Sequence, residues 1–429
     1  HPPQHHLTPT PPPTLKPTPT HTPSGQDSQY YYQPGTQACE EGRFEDCLNQ
    51  FKTANRMRPN HQVIMFQLAR AYSFNSNIDS SEYYLMKTLS IKADWDLEDS
   101  AFSWWNSSDR FKVIKTFQQT QMTPVNHSKP LLSLEDRTLH IESIAYDELH
   151  HHLYLGSVYQ QKIIRADLQR QVITDFKTAA AHGLWSVFGM KIDAYQRNLW
   201  VCSVATDLMI HADSSIEGSA AVYQFDLDSG KEIARYMLDD KGKHWFGDLT
   251  ISTDGTVYVS DSQTNTVYQI APENQQLIPF LKDDRFLSLQ GLDLSEDGRY
   301  LMIADYVTGL YRLDLTNKDL IQLNSLLGFV SLKSVDGLYV YENSLITTQN
   351  QLVPMRVTQY FLNESADTII DYRLLEKGNP ILNEPTLGVL NDDWFYYVAN
   401  SQWNGYDEHK NPKNPDELQD IQIMQVLVE

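Results

Sequence analysis

From residue 135 onward, apolar and polar positions alternate in short runs, and one phrase recurs six times: a polar residue, a small one, an alternating strand, a turn, then a second strand. The copies open Glu142-Ser-Ile-Ala-Tyr-Asp, Phe188-Gly-Met-Lys-Ile-Asp, Gly247-Asp-Leu-Thr-Ile-Ser, Gln290-Gly-Leu-Asp-Leu-Ser, Asp336-Gly-Leu-Tyr-Val-Tyr and Pro385-Thr-Leu-Gly-Val-Leu. Their first residues lie 46, 59, 43, 46 and 49 apart. An all-strand repeat with a period in the forties predicts the blades of a β-propeller, and six copies predict six blades. Asp254-Gly255 and Asp297-Gly298 between alternating runs are hairpin turns. His150, His151 and His152 fall at the equivalent tip of the first blade, where neighbouring residues on a turn point apart, so an exposed tip is favoured over a metal site.

Ahead of the strands the period changes. Gly42, Phe44, Cys47, Phe51, Ala54 and Pro59 follow a helical spacing, with a small residue at a helix contact, aromatics a turn away and a proline at the end. The register recurs 34 residues later, where Cys47, Phe51 and Ala54 map to Ser81, Leu85 and Thr88, and Leu68, Ala69 and Tyr72 fit a first helix. This pattern resembles tetratricopeptide helical hairpins. Residues 94–119 are aromatic-rich and helical in pattern, suited to capping the stack.

The expected fold is mainly β: a six-bladed β-propeller over 135–429, tetratricopeptide-like helices over 34–122, a linker over 123–134, and a disordered tail over 1–33. That tail is Pro/Thr-rich without apolar periodicity and cannot bury enough surface to order itself. Its His1, His5, His6 and His21 read as composition noise rather than metal ligands.

Composition narrows the function. The net charge is −21, with 55 Asp plus Glu against 34 Lys plus Arg, and no basic stripe for phosphates, so nucleic acid is excluded as a partner. No run approaches the roughly 18 apolar residues of a membrane span. Three cysteines, Cys39, Cys47 and Cys202, are too few for a disulfide framework, and all are read as small buried residues. The start at His1 and the proline-rich tail suggest a processed, exported protein, periplasmic or secreted. Asn106, Asn126 and Asn363 open sequons, which matter only in a eukaryotic secretory setting.

In a propeller the start of each first strand and the end of each second strand open on one face. That gathers Glu142, Asp248, Gln290, Asp336 and, slightly out of register, Glu384 into an inner ring. Ser157, Asp261, Asp305, Asn350 and Asn400 form a second ring. Converging oxygen ligands without recurrent histidine or cysteine point to a hard divalent cation: calcium first, magnesium or manganese next. The same strand starts resemble the senescence marker protein/gluconolactonase family of six-bladed propellers, which includes luciferin-regenerating-enzyme-like members. The resemblance covers about two thirds of the chain. It implies that Glu142 and Asp336 are metal ligands, that Gln290 stands where the family has Asn, and that Asp248 lies near a third-blade pair. It also implies Asp336 as general base in lactone opening. Glu384 has no family counterpart.

Trp185, Phe188, Trp245, Phe246 and Trp403 are candidates for an apolar wall, and His182 and His244 for a proton shuttle. Core aromatics and satisfied loop histidines are the plainer readings. No Gly-rich phosphate loop, Gly-x-Ser-x-Gly or His-Glu-x-x-His motif occurs. Two functions follow. The first is a metal-dependent hydrolase of a lactone or ester, gluconolactonase-like. The alternative is a non-enzymatic interaction scaffold that binds a protein or peptide through the helical repeats and carries at most a structural metal. A brace for the propeller is a third role for those repeats.

Overall fold

In a computed structural model, which describes residues 25–178, 183–407 and 412–428, the six repeats form six antiparallel sheets. The tail up to residue 24, with its four histidines, and His182 lie outside the described residues. The innermost strands of blades 1 to 6 are Ile141–Asp147, Ser186–Asp193, Phe246–Ile251, Leu289–Leu294, Val335–Tyr341 and Gly388–Asn391. In each of blades 1 to 5, the pairing of this strand with the next shifts register at the opening residues of the repeat. An extra residue at a bulge re-aims its side chain. Glu142, Gln290 and Asp336 all occupy such bulges.

In blades 2 and 4 the second residue of the repeat is glycine because the neighbouring blade touches there. A Cβ on Gly291 would lie 2.5 Å from the Leu338 nitrogen and 2.6 Å from the Asp336 carbonyl oxygen. One on Gly189 would lie 2.5 Å from the Asp248 Cα. Between blades the buried core is built from alternating strand residues, such as Val201, Tyr223 and Phe225 with Ile163 and Leu199.

The stretch read as a linker is part of the propeller. Lys129–Leu134 is the outermost strand of blade 6, paired antiparallel with Ile421–Leu427. Val125–Asn126 extends blade 5 alongside Thr368–Lys377. The alternation of Leu132 and Leu134 encodes the first of these strands, and Pro130 is tolerated because an outermost strand has a free side. The propeller thereby closes with chain from both ends of its sequence.

The described residues fall into two compact units: those up to 88 with 98–111, and 89–97 with those from 112 onward. The first contains α1 (Gly25–Glu40), α2 (Phe44–Met57), α3 (Gln62–Phe74) and nearly all of α4 (Ile78–Leu89). Helix α1 therefore begins inside the segment assigned to the tail. Gly42, at φ +74°, makes the turn between α1 and α2 at no steric cost. Cys47, Phe51, Ala54, Leu68 and Ala71 share one core. The Ser81 and Thr88 hydroxyls donate to the Ala69 and Gln62 carbonyls at 2.8 and 2.9 Å. Phe66, Phe102, Trp105 and Phe111 form an aromatic cluster in the same unit. Helix α5 (Asp109–Met122) follows.

One cysteine reading is corrected. Cys39 and Cys47 form a disulfide, their Cα atoms 5.1 Å apart, while Cys202 is free and buried. A count of three hides a single pair formed across the α1–α2 turn. The spacing of eight residues bridges that turn and carries no signature of its own.

Candidate metal and hydrolase site

Glu142, Gln290 and Asp336 line one cavity of about 300 Å³ together with Phe188, Trp245, Ser262, Ser288, Tyr306, Leu387 and Trp403. Among the described residues no Lys, Arg or His lines it. Phe188 and Trp245 lie with ring centroids 5.1 Å apart, and Phe188 stacks with Trp403 at 6.4 Å. Trp185 packs against the blade core and Phe246 is fully buried, so neither forms this wall.

Each of the three oxygen-bearing side chains is held from one side. Ser401 Oγ and Trp403 Nε1 donate to Glu142 Oε2 at 2.6 and 2.9 Å. Asn350 Nδ2 donates to Asp336 Oδ2 at 2.6 Å, and the Tyr306 hydroxyl donates to Asn350 Oδ1 at 2.5 Å. Gln290 Nε2 donates to Ser288 Oγ at 3.2 Å. One oxygen apiece on Glu142, Asp336 and Gln290 accepts no hydrogen bond from the described residues. In blade 3 the position of Gln290 is taken by Gly247, which leaves room beside that amide oxygen.

Burial first, then repulsion from Asp336, drives the Glu142 carboxyl well above its ordinary value, against the Ser401 and Trp403 hydrogen bonds. Withdrawal from solvent pushes Asp336 up to about 7; Asn350 opposes this and the negative Glu384 adds to it. Glu384, at φ +58°, accepts from the Asn404 amide at 2.9 Å and is itself raised by burial. It acts on the site through its charge without lining the cavity.

Asp248 is placed elsewhere. It is the second residue of its repeat, not the first, and opens into a separate cavity of about 880 Å³ at the other end of the first strands, with Lys191, Asp293 and Tyr339. Burial pushes it to about 7. Four members of the second ring are likewise engaged away from the cavity. Asp305 accepts from the amides of Leu287, Ser288, Val307 and Thr308. Asp261 accepts from the Trp245 and Gln263 amides and from His244. Asn400 is tied to Asp420 and Gln422, and Ser157 accepts from the Gln160 amide and donates to the Leu139 carbonyl. These side chains fasten loops. Ser262 and Tyr306, one place further along than Asp261 and Asp305, line the cavity, and Asn350 reaches it through its hydrogen bond to Asp336. Only Asn350 was in the predicted ring.

His244 is held between Asp261 and Asp240 at 2.7 and 3.0 Å. Burial would lower it, but those two hydrogen bonds prevail and raise it. Both its nitrogens are taken, which leaves none for a shuttle.

The donor set fits a hard divalent cation: two carboxylates and an amide oxygen, each fixed from behind, in a pocket without positive charge. One other group also invites a metal. Among the described residues, ligand atoms of Asp147, His150 and His152 lie within 4.8 Å of one another. Arg197 already sits there, donating to both Asp147 oxygens at 2.6 and 3.0 Å and reaching His150 Nδ1 at 3.1 Å. Against burial, those bonds hold Asp147 below its ordinary value. A guanidinium supplies the charge a metal would bring.

No protein-family model matches the chain, and no curated protein matches it. Solved structures do. The major allergen Mala s 1 of Malassezia sympodialis superposes with a TM-score of 0.50 at 10% identity, over 71% of this chain and 96% of that one. A gluconolactonase from Xanthomonas campestris gives 0.48 at 14%, over 71% and 91%. The PQQ-bound aldose sugar dehydrogenase of Streptomyces coelicolor gives 0.49 at 13%, over 72% and 99%. At 10% identity the superposition on Mala s 1 reports a shared fold and no shared activity. No helix among the described residues is long and apolar enough to cross a membrane.

Proposed function

We propose that the chain hydrolyses a lactone or a related ester in the cavity of Glu142, Gln290 and Asp336, with a divalent cation, calcium foremost. One observation carries this reading: two repelling carboxylates, each pinned through one oxygen, turn the other toward a pocket that contains no positive charge. The sequence resemblance to gluconolactonases agrees with it.

Glu142, Gln290 and Asp336 would hold the ion. Bound there, it would polarise the substrate carbonyl and acidify a water. Asp336 is the general base: it takes a proton from the attacking water as the new C–O bond forms. It then returns the proton to the departing ring oxygen as the old C–O bond breaks, giving a hydroxy acid. Asn350, fixed by Tyr306, sets the orientation of Asp336, and Trp403 with Ser401 sets that of Glu142. The Phe188–Trp245–Trp403 wall excludes water, and the small volume favours a compact ring.

In the same reading the helical hairpins are tetratricopeptide-like, on the strength of their 34-residue register. The Cys39–Cys47 disulfide supports export to an oxidising compartment. Calorimetric titration of the full chain with calcium, magnesium and manganese tests the site. Binding should disappear in Glu142→Gln and Asp336→Asn, and a lactone and ester panel should be hydrolysed only without chelator. Undiminished hydrolysis in excess chelator sinks the metal-dependent reading.

A further inference from the structure

Two cations are buried side by side in blade 5. Arg356 and Lys377 stand directly opposite each other on paired antiparallel strands, Arg356–Leu362 and Thr368–Lys377. Side chains so placed share one face and are neighbours, and like charges there repel. Arg356 is 5% exposed and Lys377 3%. Arg356 Nε donates to the Pro354 carbonyl at 3.3 Å, whereas its buried Nη2 has no partner. Lys377 Nζ donates to the Thr120 carbonyl at 2.9 Å.

Among the described residues no carboxylate pairs with either. The nearest in sequence, Glu376, is buried on the opposite face of its strand. It spends Oε2 on the His127 and Ser128 amides at 2.9 and 2.7 Å and Oε1 on Asn379 at 2.8 Å. Among the described residues, the charged and titratable groups acting on Arg356 are Tyr360 and Tyr372, and the one acting on Lys377 is Arg356. Burying one unpaired charge costs several kcal/mol, by order of magnitude, and a second like charge beside it costs more. Lys377 can shed its proton, and burial lowers it to about 8. The guanidinium cannot, so neutralising the pair requires an anion from outside.

We propose that Arg356 and Lys377 bind one small inorganic anion, of the chloride or phosphate class, through Nη2 and Nζ. The site lies where the outer strand of blade 5 takes up Val125–Asn126, and it is independent of the hydrolase cavity. The anion completes the seam between those strands.

The test uses the full chain with chloride as the probe, at constant ionic strength made up with a bulky anion. Chloride-35 line broadening should saturate and be reversed by inorganic phosphate. Arg356→Gln or Lys377→Met should weaken binding by at least about ten-fold, as expected on losing a charge-assisted hydrogen bond. Broadening that is absent, or that is unchanged in both variants, overturns the proposal. If neither variant folds, wild-type competition decides: reversal by phosphate supports the site, and no reversal overturns it.

Discussion

Asn350 Nδ2 donates to Asp336 Oδ2 at 2.6 Å, and Asn350 is in turn fixed by the Tyr306 hydroxyl. The proposed base is thus aimed by an amide that does not itself face a reacting atom. Asn350→Leu keeps the volume but removes the donor. Hydrolysis should fall by about 10- to 100-fold, chiefly in kcat, while Tyr306→Phe should fall less. Steady-state kinetics on both variants checks this ordering. Equal kcat in wild type and Asn350→Leu would remove the positioning role.

Proton and metal occupancy should compete at Glu142 and Asp336. Both carboxyls are raised in the folded chain, Asp336 to about 7. Below the ordinary carboxylate range, folded and unfolded forms are both protonated and nothing is lost. As pH climbs toward 7 the unfolded chain ionises first, so metal-free stability falls, and the share of the loss due to Asp336 is complete above about 7. Under the proposed function calcium would bind the ionised pair and offset that loss. Its gain in unfolding temperature over chelator should therefore be larger at pH 8 than at pH 5. An equal gain at both would place the calcium elsewhere.

The repeat period was legible because it rests on local alternation, and all six copies became innermost strands. Glu142, Gln290 and Asp336 come to line one cavity for the same reason: each opens its phrase at a bulge. Asp248 misled because Gly247 holds the equivalent position, so a shift of one residue sends the carboxylate to the other cavity. The second ring erred by one residue too, since Asp261 and Asp305 end their strands and are consumed by loop amides. Reading one place on would have found Ser262 and Tyr306. Trp403 was named only as a wall residue; its hydrogen bond to Glu142 spans a separation of 261 in sequence, which no local pattern encodes. The closing strand at Lys129–Leu134 was hidden by its Pro-rich approach.

Gly291 sets the approach of blades 4 and 5 next to the base. A methyl group there would meet backbone on three sides, including the Asp336 carbonyl and the Leu338 amide. Backbone cannot swing aside as a long side chain can. Gly291→Ala should cost about 1–3 kcal/mol in denaturant unfolding and displace Asp336, lowering activity as well. Gly298→Ala is the control for activity, since it sits at a hairpin tip with open space around it; its φ of +68° makes it mildly destabilising alone. Loss of activity in both would indicate general destabilisation rather than a local effect.

The disulfide predicts a redox-dependent helical unit. It closes a loop of eight residues' separation between α1 and α2. Removing that constraint should cost about 2–3 kcal/mol. A Cys39→Ser/Cys47→Ser double variant should lower the unfolding midpoint by that amount, and reductant should do the same to wild type but not to the variant. Identical curves with and without reductant would show that the pair contributes nothing.

Arg197 gives the last prediction. Its guanidinium donates to Asp147 and reaches His150 Nδ1, two members of the Asp147–His150–His152 group, and it also pairs with Asp228 at 2.5 Å. One carboxylate and two imidazoles match zinc in donor type, but zinc binding there would have to bring a divalent charge against a resident cation. Wild type should therefore ignore zinc at this tip. Arg197→Ser removes the competing charge while leaving the three ligands on one hairpin, and it should acquire a zinc site measurable by calorimetry and lost again in Arg197→Ser/His152→Ala. Asp147 is nearly buried, so in Arg197→Ser without metal it should also destabilise the protein, and zinc should recover part of that loss. Zinc bound equally by wild type would mean that Arg197 is not the barrier.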